Sequence, residues 1–486
     1  MLAKPLVGLT LLGLLLSAAC SSYGTAPEGA PFPLGMQRHP SGVRRAGGSA
    51  SQYIKNVVVI IQENRSFEDF FAGYPGADAP TTGCASPTPS PGESVRIPTR
   101  RLSRPLNSSS PCPPGDTVVP LHEVTFETNP DLRHDWYSSM IDWNNGNMDG
   151  FTAFGGGDGL DAYGYVDHKE LAPYYTMAQQ YVLADQMFPT EFGGSFTAHV
   201  TLVAGTDDIK LPGQAEVDFP SAIPDDCDSP PQTKSSYITE TPYRKIHLFQ
   251  GPFPCFDQFN TIAEVLDNAG VSWKIYATQV LDAGLWEPFE AMKYVRYGPD
   301  WYSDIIAPQT RILTDPEKGE LAQVSWVTPS HEDSDHPAYK SDRGPSWVAS
   351  VVNSIGESKY WGQSAIVILW DDWGGSYDNA PPPQLDYRGL GIRVGCLIIS
   401  PYAKQDYVSN VQYEFGSILR FIEEVNGLPA GSIGPVSLGY TDGRAASLDD
   451  AFDFSQSPRP FQPIQAKYPR SVFLHEKPSK IPVDYE

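Results

Sequence analysis

The residues with the most chemical potential stand where two apolar runs stop. Residues 55–71 read KNVVVIIQENRSFEDFF, and residues 365–378 read AIVILWDDWGGSYD. Each run has the unbroken apolar character of a parallel strand covered on both faces, and each ends on polar groups: Glu63 with Asn64, then Asp371 with Asp372. Ligands of open α/β sheets bind beyond the carboxyl ends of the strands. Two such strands running the same way would gather four oxygen-bearing side chains on one edge, a nest for a hard divalent cation and the setting for metal-assisted ester cleavage. A polar pair after one strand is usually only a turn. A second pair changes that reading, because adjacent carboxylates repel unless a cation or a proton offsets them. Gly374 and Gly375 would let backbone approach a ligand closely, or serve the turn alone.

A nucleophile for such chemistry is Ser195 in FGGSFTAHV, which follows two glycines and opens a helix predicted over 196–204. Free N–H groups at a helix N-terminus favour a phosphate, and metal coordination would make the hydroxyl an attacking alkoxide. On local sequence alone the reading of Ser195 as an ordinary N-cap is the favoured one. The chain has nine histidines, so those beside acids stand out. They are His134 in DLRHDW, His331 and His336 in PSHEDSDHPAY, and His199 one helical turn after Ser195. Imidazole suits both neutralising a phosphoryl group and protonating a leaving oxygen, and His134 and His336 are the better placed.

The elements that must position these groups alternate. A helix-like stretch over 170–184 leads into the Ser195 segment, and TIAEVLDNAG carries a Thr261–Glu264 capping box with Gly270 as its stop. Strands follow at VSWKIYA and QVSWVTP (323–329), a helix over 346–356, the AIVILWDD strand, a strand over 394–400 and a helix over 415–426 closed by Gly427 and Pro429. This order predicts an α/β domain with a mainly parallel central sheet and helices on both faces. Loose Ser/Thr/Pro stretches at 75–120 and 207–256 read as insertions over the active edge.

The first residues, MLAKPLVGLTLLGLLLSAAC, combine an early Lys4, a short apolar run and small residues before Cys20, the pattern of an export signal over 1–20. Either cleavage falls among residues 17–19 or Cys20 is lipidated in the manner of bacterial lipoproteins; the second is favoured although Ser17 departs from that box. Residues 21–52 read as a disordered tether and 53–486 as one domain, exported to the cell envelope or beyond. Cys84 with Cys112 and Cys227 with Cys255 suit disulfides there, leaving Cys396 as a buried thiol. A net charge of −24 disfavours nucleic acid and anionic membrane surfaces as partners.

Together, ENRSFEDFF, HDW with WNNGNMDGF (143–151), the DD–GG–YD element and GIRVGCLIISPYAK (391–404) resemble the bacterial phosphoesterase family of acid phosphatases and phosphatidylcholine-hydrolysing phospholipases C, over residues 53–454. The resemblance implies an alkaline-phosphatase-like fold and hydrolysis of a small-molecule phosphate ester through a phosphoserine. Carried over by motif, it implies that Glu63, Asn64, Asp371 and Asp372 hold one divalent metal and that Ser195 attacks while touching it; an all-oxygen shell of this kind favours Ca, Mg or Mn over Zn, although alkaline-phosphatase-like folds accept several ions. His134 and His336 would flank the phosphate, with Asp335, His331 and His199 as further substrate-binding residues. Two departures matter. Asn379 stands where many relatives carry histidine, and the Ser195 context resembles the acid phosphatase branch rather than the phospholipases, which carry Thr. An acid phosphatase acting on phosphomonoesters is therefore the leading expectation, ahead of a phospholipase C and of an inactive envelope binding protein. A sulfatase lacks its C/S-x-P-x-R context here.

Overall fold

The computed structural model describes residues 49–88, 112–209, 215–239, 244–281 and 283–476. The expected export signal, Cys20 and most of the expected tether lie outside the described residues, as does the middle of the first insertion.

The two runs that end in acids are adjacent strands. β1 (Asn56–Gln62) is buried at every position. Further along the chain come β2 (Val182–Phe188), β3 (Trp273–Tyr276), β4 (Ile305–Ile306), β5 (Val324–Val327), β6 (Ser364–Trp370), β7 (Val394–Ile399), β8 (Tyr407–Ser409) and β9 (Tyr413–Glu414). They form one sheet in the order β4-β3-β5-β1-β6-β7-β2-β8, with β9 also pairing with β2. β1 and β6 run parallel in continuous register from Asn56 opposite Ser364 to Gln62 opposite Trp370. β7 alone of these strands is reversed, antiparallel to both β6 and β2. Reversing twice restores direction. The carboxyl ends of β1, β6 and β2 therefore share one edge, and the sheet is mainly parallel, as the alternation predicts.

One sequence expectation needs correction. The helix expected across 170–184 is a helix over Ala172–Gln180 followed by β2. Tyr181 leaves helical geometry at φ −137° and ψ −135°, with no Gly or Pro to mark the break. Val182, Leu183 and Ala184 are fully buried between β7 and β8, so pairing within the sheet overrides local helix preference. The remaining helices fall near their sequence positions: Ile262–Ala269 with the Thr261–Glu264 capping box formed and Gly270 left-handed, Gly344–Gly356, and Phe415–Val425.

The insertions carry small sheets of their own. Thr82–Ala85 pairs with Thr117–Pro120 beside the Cys84–Cys112 disulfide. Ala215–Pro220, Ser235–Thr239 and Lys245–His247 form an antiparallel sheet, and Cys227–Cys255 closes the segment. Cys396 is a free, buried thiol in β7 whose pKa burial raises. Among the described residues, no helix is long and apolar enough to cross a membrane.

Candidate active site

The β1–β6 ladder continues past the strand ends and sets the two acid pairs side by side. The backbone N–H of Asp371 donates to the carbonyl of Gln62 (3.1 Å), and the N–H of Asn64 donates to Asp371 Oδ1 (2.9 Å). Asn64 sits at φ 56°, a left-handed conformation that Asn adopts more readily than most residues. Gly374 and Gly375 are required by the turn itself. Both have positive φ, and a Cβ would lie 2.1 Å from the carbonyl oxygen of Asn64 at Gly374 and 2.6 Å from Leu132 Cβ at Gly375.

Glu63 and Asp371 are joined by an imidazole. His199 Nε2 lies 3.1 Å from Glu63 Oε1 and 3.7 Å from Asp371 Oδ2, and all three residues are fully buried. One potential ligand atom from each lies within 4.8 Å of the others. Asp371 Oδ2 is buried and meets no hydrogen-bond donor. An uncompensated carboxylate oxygen beside a second carboxylate and an imidazole fits a divalent cation. The donors nevertheless differ from the oxygen-only set expected from sequence, because the helical turn from Ser195 delivers a nitrogen to the carboxylates.

Ser195 reaches the same place from the end of β2. Gly194, extended at φ −95° and ψ −167°, is the N-cap, and Ser195 is the first residue of the helix Ser195–Ala204, so the N-cap alternative for Ser195 does not hold. Its hydroxyl donates to Asp372 Oδ2 (3.1 Å) and lies 3.3 Å from Asn64 Oδ1. Burial, with the neighbouring charge of Asp371 second, raises the Asp372 carboxyl well above the ordinary carboxylate range. That is the repulsion the sequence anticipates.

The Asn64 carboxamide lies between these oxygens and two histidines, and its two orientations suit two environments. With its oxygen toward the imidazoles it accepts from His134 Nε2 (2.6 Å) and His336 Nε2 (3.2 Å), while its nitrogen donates to Asp371 Oδ1, Glu63 Oε2 and Ser195 Oγ at 3.1, 3.2 and 3.3 Å. Turned the other way, Oδ1 faces only acceptors, an arrangement that a cation among them would stabilise. His134 Nδ1 is 2.6 Å from the Leu132 carbonyl and so carries a proton. His336 Nδ1 instead accepts the N–H of Ala338 (3.1 Å), which leaves the proton of the neutral ring on Nε2.

Two expected pocket residues have other surroundings. Asp335 Oδ2 accepts from Tyr174 Oη (2.7 Å) and Trp370 Nε1 (2.9 Å), while Arg65 Nε donates to the Asp335 carbonyl (2.7 Å). Its carboxyl, pushed up to about 6 by burial, braces the loop that presents His336. His331 stacks on Tyr339 at 4.5 Å between ring centroids, and Tyr339 packs against His336. Arg65 follows directly after a polar pair, a position that gives no sequence signal separating a bracing role from a catalytic one.

A cleft of about 720 Å³ opens beside His134 and Gly194. One wall is the DLRHD segment with Asp131, Arg133 and Asp135; the other is the second insertion with Asp218, Phe219, Ile223 and Phe249. Arg133 Nε donates to Asp135 (2.9 Å), so the one guanidinium among the lining residues is paired. Asp218 is buried and held up to about 7, chiefly by desolvation. Sequence pattern placed the insertion over this edge but could not show which of its side chains face inward.

The family model described as "Phosphoesterase family" matches residues 54–429. "Phospholipase C A" of Mycobacterium tuberculosis is 24% identical over 475 residues, covering 88% of this chain and 82% of its own. "Non-hemolytic phospholipase C" of Pseudomonas aeruginosa is 22% identical over 445 residues, covering 83% of this chain and 57% of its own. Among solved structures, a protein in the alkaline phosphatase superfamily from Vibrio parahaemolyticus aligns with a TM-score of 0.33 at 10% identity, over 79% of this chain and 69% of its own. Human ectonucleotide pyrophosphatase/phosphodiesterase 5 aligns at 0.32 and 8%, over 57% and 94%. Structural likenesses this loose carry no argument.

Proposed function

The chain belongs to the Phosphoesterase family and is a hydrolase of phosphate esters, and we propose that Ser195 is its nucleophile and that its substrate is a phosphodiester with a bulky alcohol, as in a phospholipase C. The single observation that carries the first half is the Ser195 hydroxyl, hydrogen-bonded to Asp372 at the shared end of three strands. Asp372, raised in pKa, is the group placed to take the serine proton as Oγ attacks phosphorus. The N-terminal N–H groups of the Ser195 helix face the incoming phosphoryl oxygens. His336, whose neutral ring carries its proton on Nε2, gives that proton to the leaving alkoxide as the P–O bond to the alcohol breaks. Water then attacks the seryl ester from the vacated side, giving its proton to His336, and Asp372 returns its proton to the departing Ser195 Oγ as the P–O bond to the serine breaks.

Glu63, Asp371 and His199 would hold a divalent cation, with Asn64 Oδ1 and Asp372 beside it. A cation bound there lowers the pKa of the serine hydroxyl and draws charge from the phosphoryl oxygens. The imidazole brings Zn forward, against the preference for Ca, Mg or Mn that an oxygen-only shell implies.

The cleft favours a diester over a monoester. Its volume suits an organic ligand far larger than phosphate. Asp131, Asp135, Asp218 and Asp225 line it together with Phe196, Phe219 and Phe249, surroundings that repel a second phosphate charge and accept an apolar or cationic group. The names of the relatives point the same way. The serine context around Ser195 favours the second reading, an acid phosphatase. Purified protein assayed on phosphatidylcholine and on p-nitrophenyl phosphate separates them. We expect diacylglycerol release from the lipid; monoester turnover with no lipid cleavage would establish the acid phosphatase instead. The two disulfides fit an exported protein, and attachment through Cys20 would hold it at the envelope.

A further inference from the structure

The tip of the second insertion gathers apolar side chains in solvent at the edge of the cleft. Ile223, Leu248 and Phe249 are 45%, 52% and 43% exposed. Ile223 and Phe249 line the cleft together with Phe219 and Ala222, and Leu248, directly before Phe249, lies outside that lining. The Phe219 and Phe249 rings meet edge to face at 5.6 Å between centroids. Apolar residues scattered singly over a surface are ordinary, whereas a group of them on the rim of one cleft marks an interaction site.

The backbone holds this tip in a costly shape. Phe249 has φ 55°, a left-handed conformation that bulky residues rarely adopt. Its N–H donates to Ser236 Oγ (3.1 Å), and the N–H of Gly251 donates to the Ser235 carbonyl (2.7 Å). Just before the turn, Lys245–His247 pairs with Ser235–Thr239, and His247 stacks on Tyr237 at 4.5 Å. Strain maintained by such contacts, for a ring left half in solvent, points to a use for the ring outside the fold.

We propose, on the phospholipase C reading above, that this tip is a docking surface for a zwitterionic lipid bilayer, entered by Leu248, Phe249 and Ile223 so that a headgroup meets the cleft. Charge decides the kind of lipid. The chain carries a net −24, and Asp131, Asp135 and Asp225 line the cleft beside the tip, so an anionic bilayer is repelled. A phosphatidylcholine surface carries its ammonium groups outward, toward these carboxylates, and apolar burial supplies the attachment. Lys234, exposed and joined through its carbonyl to the N–H of Ser221 on the same rim (3.0 Å), offers one cation to the lipid phosphates.

The test uses the whole protein carrying Ser195→Ala and Cys20→Ser, so that neither turnover nor an acyl chain contributes, sedimented with phosphatidylcholine vesicles. Binding should weaken about tenfold when Leu248→Asp is added and should be weaker on vesicles containing phosphatidylglycerol. In the catalytically intact chain, Leu248→Asp should keep turnover of a soluble p-nitrophenyl phosphodiester and lose about tenfold on vesicles. No vesicle binding by the parent, equal binding by Leu248→Asp, tighter binding to the anionic vesicles, equal losses on soluble and vesicle substrates, or a lipid-free dimer that Leu248→Asp disperses would overturn the surface. The phospholipase reading would survive those results as long as lipid dispersed in detergent is cleaved. Vesicle binding that Leu248→Asp weakens, with no cleavage of dispersed lipid or soluble phosphodiester by the intact chain, would instead remove that reading and keep the surface.

Discussion

The sheet edge and the second insertion face each other across the cleft, and they are built by different means. At the edge, Glu63, Asn64, Asp371 and Asp372 follow directly from strands that are buried along their whole length and locked in register. Position there is inherited from the ladder. In the insertion, Asp218 and Phe219 sit on a three-stranded sheet of its own, tied down by a disulfide, and Ile223 and Phe249 are nearly half exposed. A reaction that tolerates little displacement belongs on the first kind of support, and selection among alcohols belongs on the second. Substitutions at the edge should therefore lower kcat, and those in the insertion should act on KM or on stability.

The sharpest way to break that contrast is Ser195→Ala, expected to lower kcat by about 10⁴-fold or more while the fold persists; steady-state kinetics with circular dichroism would check both. Asp371→Asn should remove the ion and at least a hundredfold of activity, visible as loss of bound metal by mass spectrometry and poor rescue by added Mn²⁺ or Zn²⁺. His336→Asn should cost about 10²- to 10⁴-fold, and much less on esters whose alcohol leaves without a proton, such as p-nitrophenyl phosphodiesters.

Asp218 tests the other side. Its carboxyl titrates near 7 in the fold against 3.8 in the unfolded chain. The folded state therefore binds the extra proton, the stabilisation is complete below 3.8, and it is lost as pH rises through about 7. Asp218→Asn should remove a pH dependence worth ~4 kcal/mol at most between those limits, read as a flatter profile of urea-unfolding stability, with KM moved and kcat kept. Phe249→Ala, at a side chain 43% exposed, should change stability by less than about 0.5 kcal/mol and alter KM only for substrates with a large alcohol. A kcat loss at Asp218 rivalling that at His336 would erase the distinction between the two walls.

The same contrast governs what could be read in the sequence. β1 and β6 were legible because strands covered on both faces are unbroken apolar runs, and their terminal acids lay in plain view. β2 was not. Asp185 and Gln186 interrupt its run, and it follows a helix with no Gly or Pro between them, so local pattern extended the helix through it. The place of His199 was half legible. Its spacing from Ser195 put it on the same helix face, but that this face turns toward Glu63 depends on how the helix packs. Asp335 shows the converse: its motif suggests a pocket carboxylate, while its partners Tyr174 and Trp370, distant in sequence, make it a brace. The inward side chains of the insertion left no sequence signal, because the short strand Ala215–Pro220 is buried at every position but the half-buried Phe219 and so shows no alternation.

The central claim is that Ser195 carries the phosphoryl group, and acid quenching during turnover followed by peptide mass spectrometry tests it directly. The account predicts that the peptide containing Ser195 bears the phosphoryl group of the substrate at the serine oxygen, and that the adduct disappears in Ser195→Ala together with activity. An unmodified Ser195 peptide throughout turnover, with activity retained in Ser195→Ala, would contradict it.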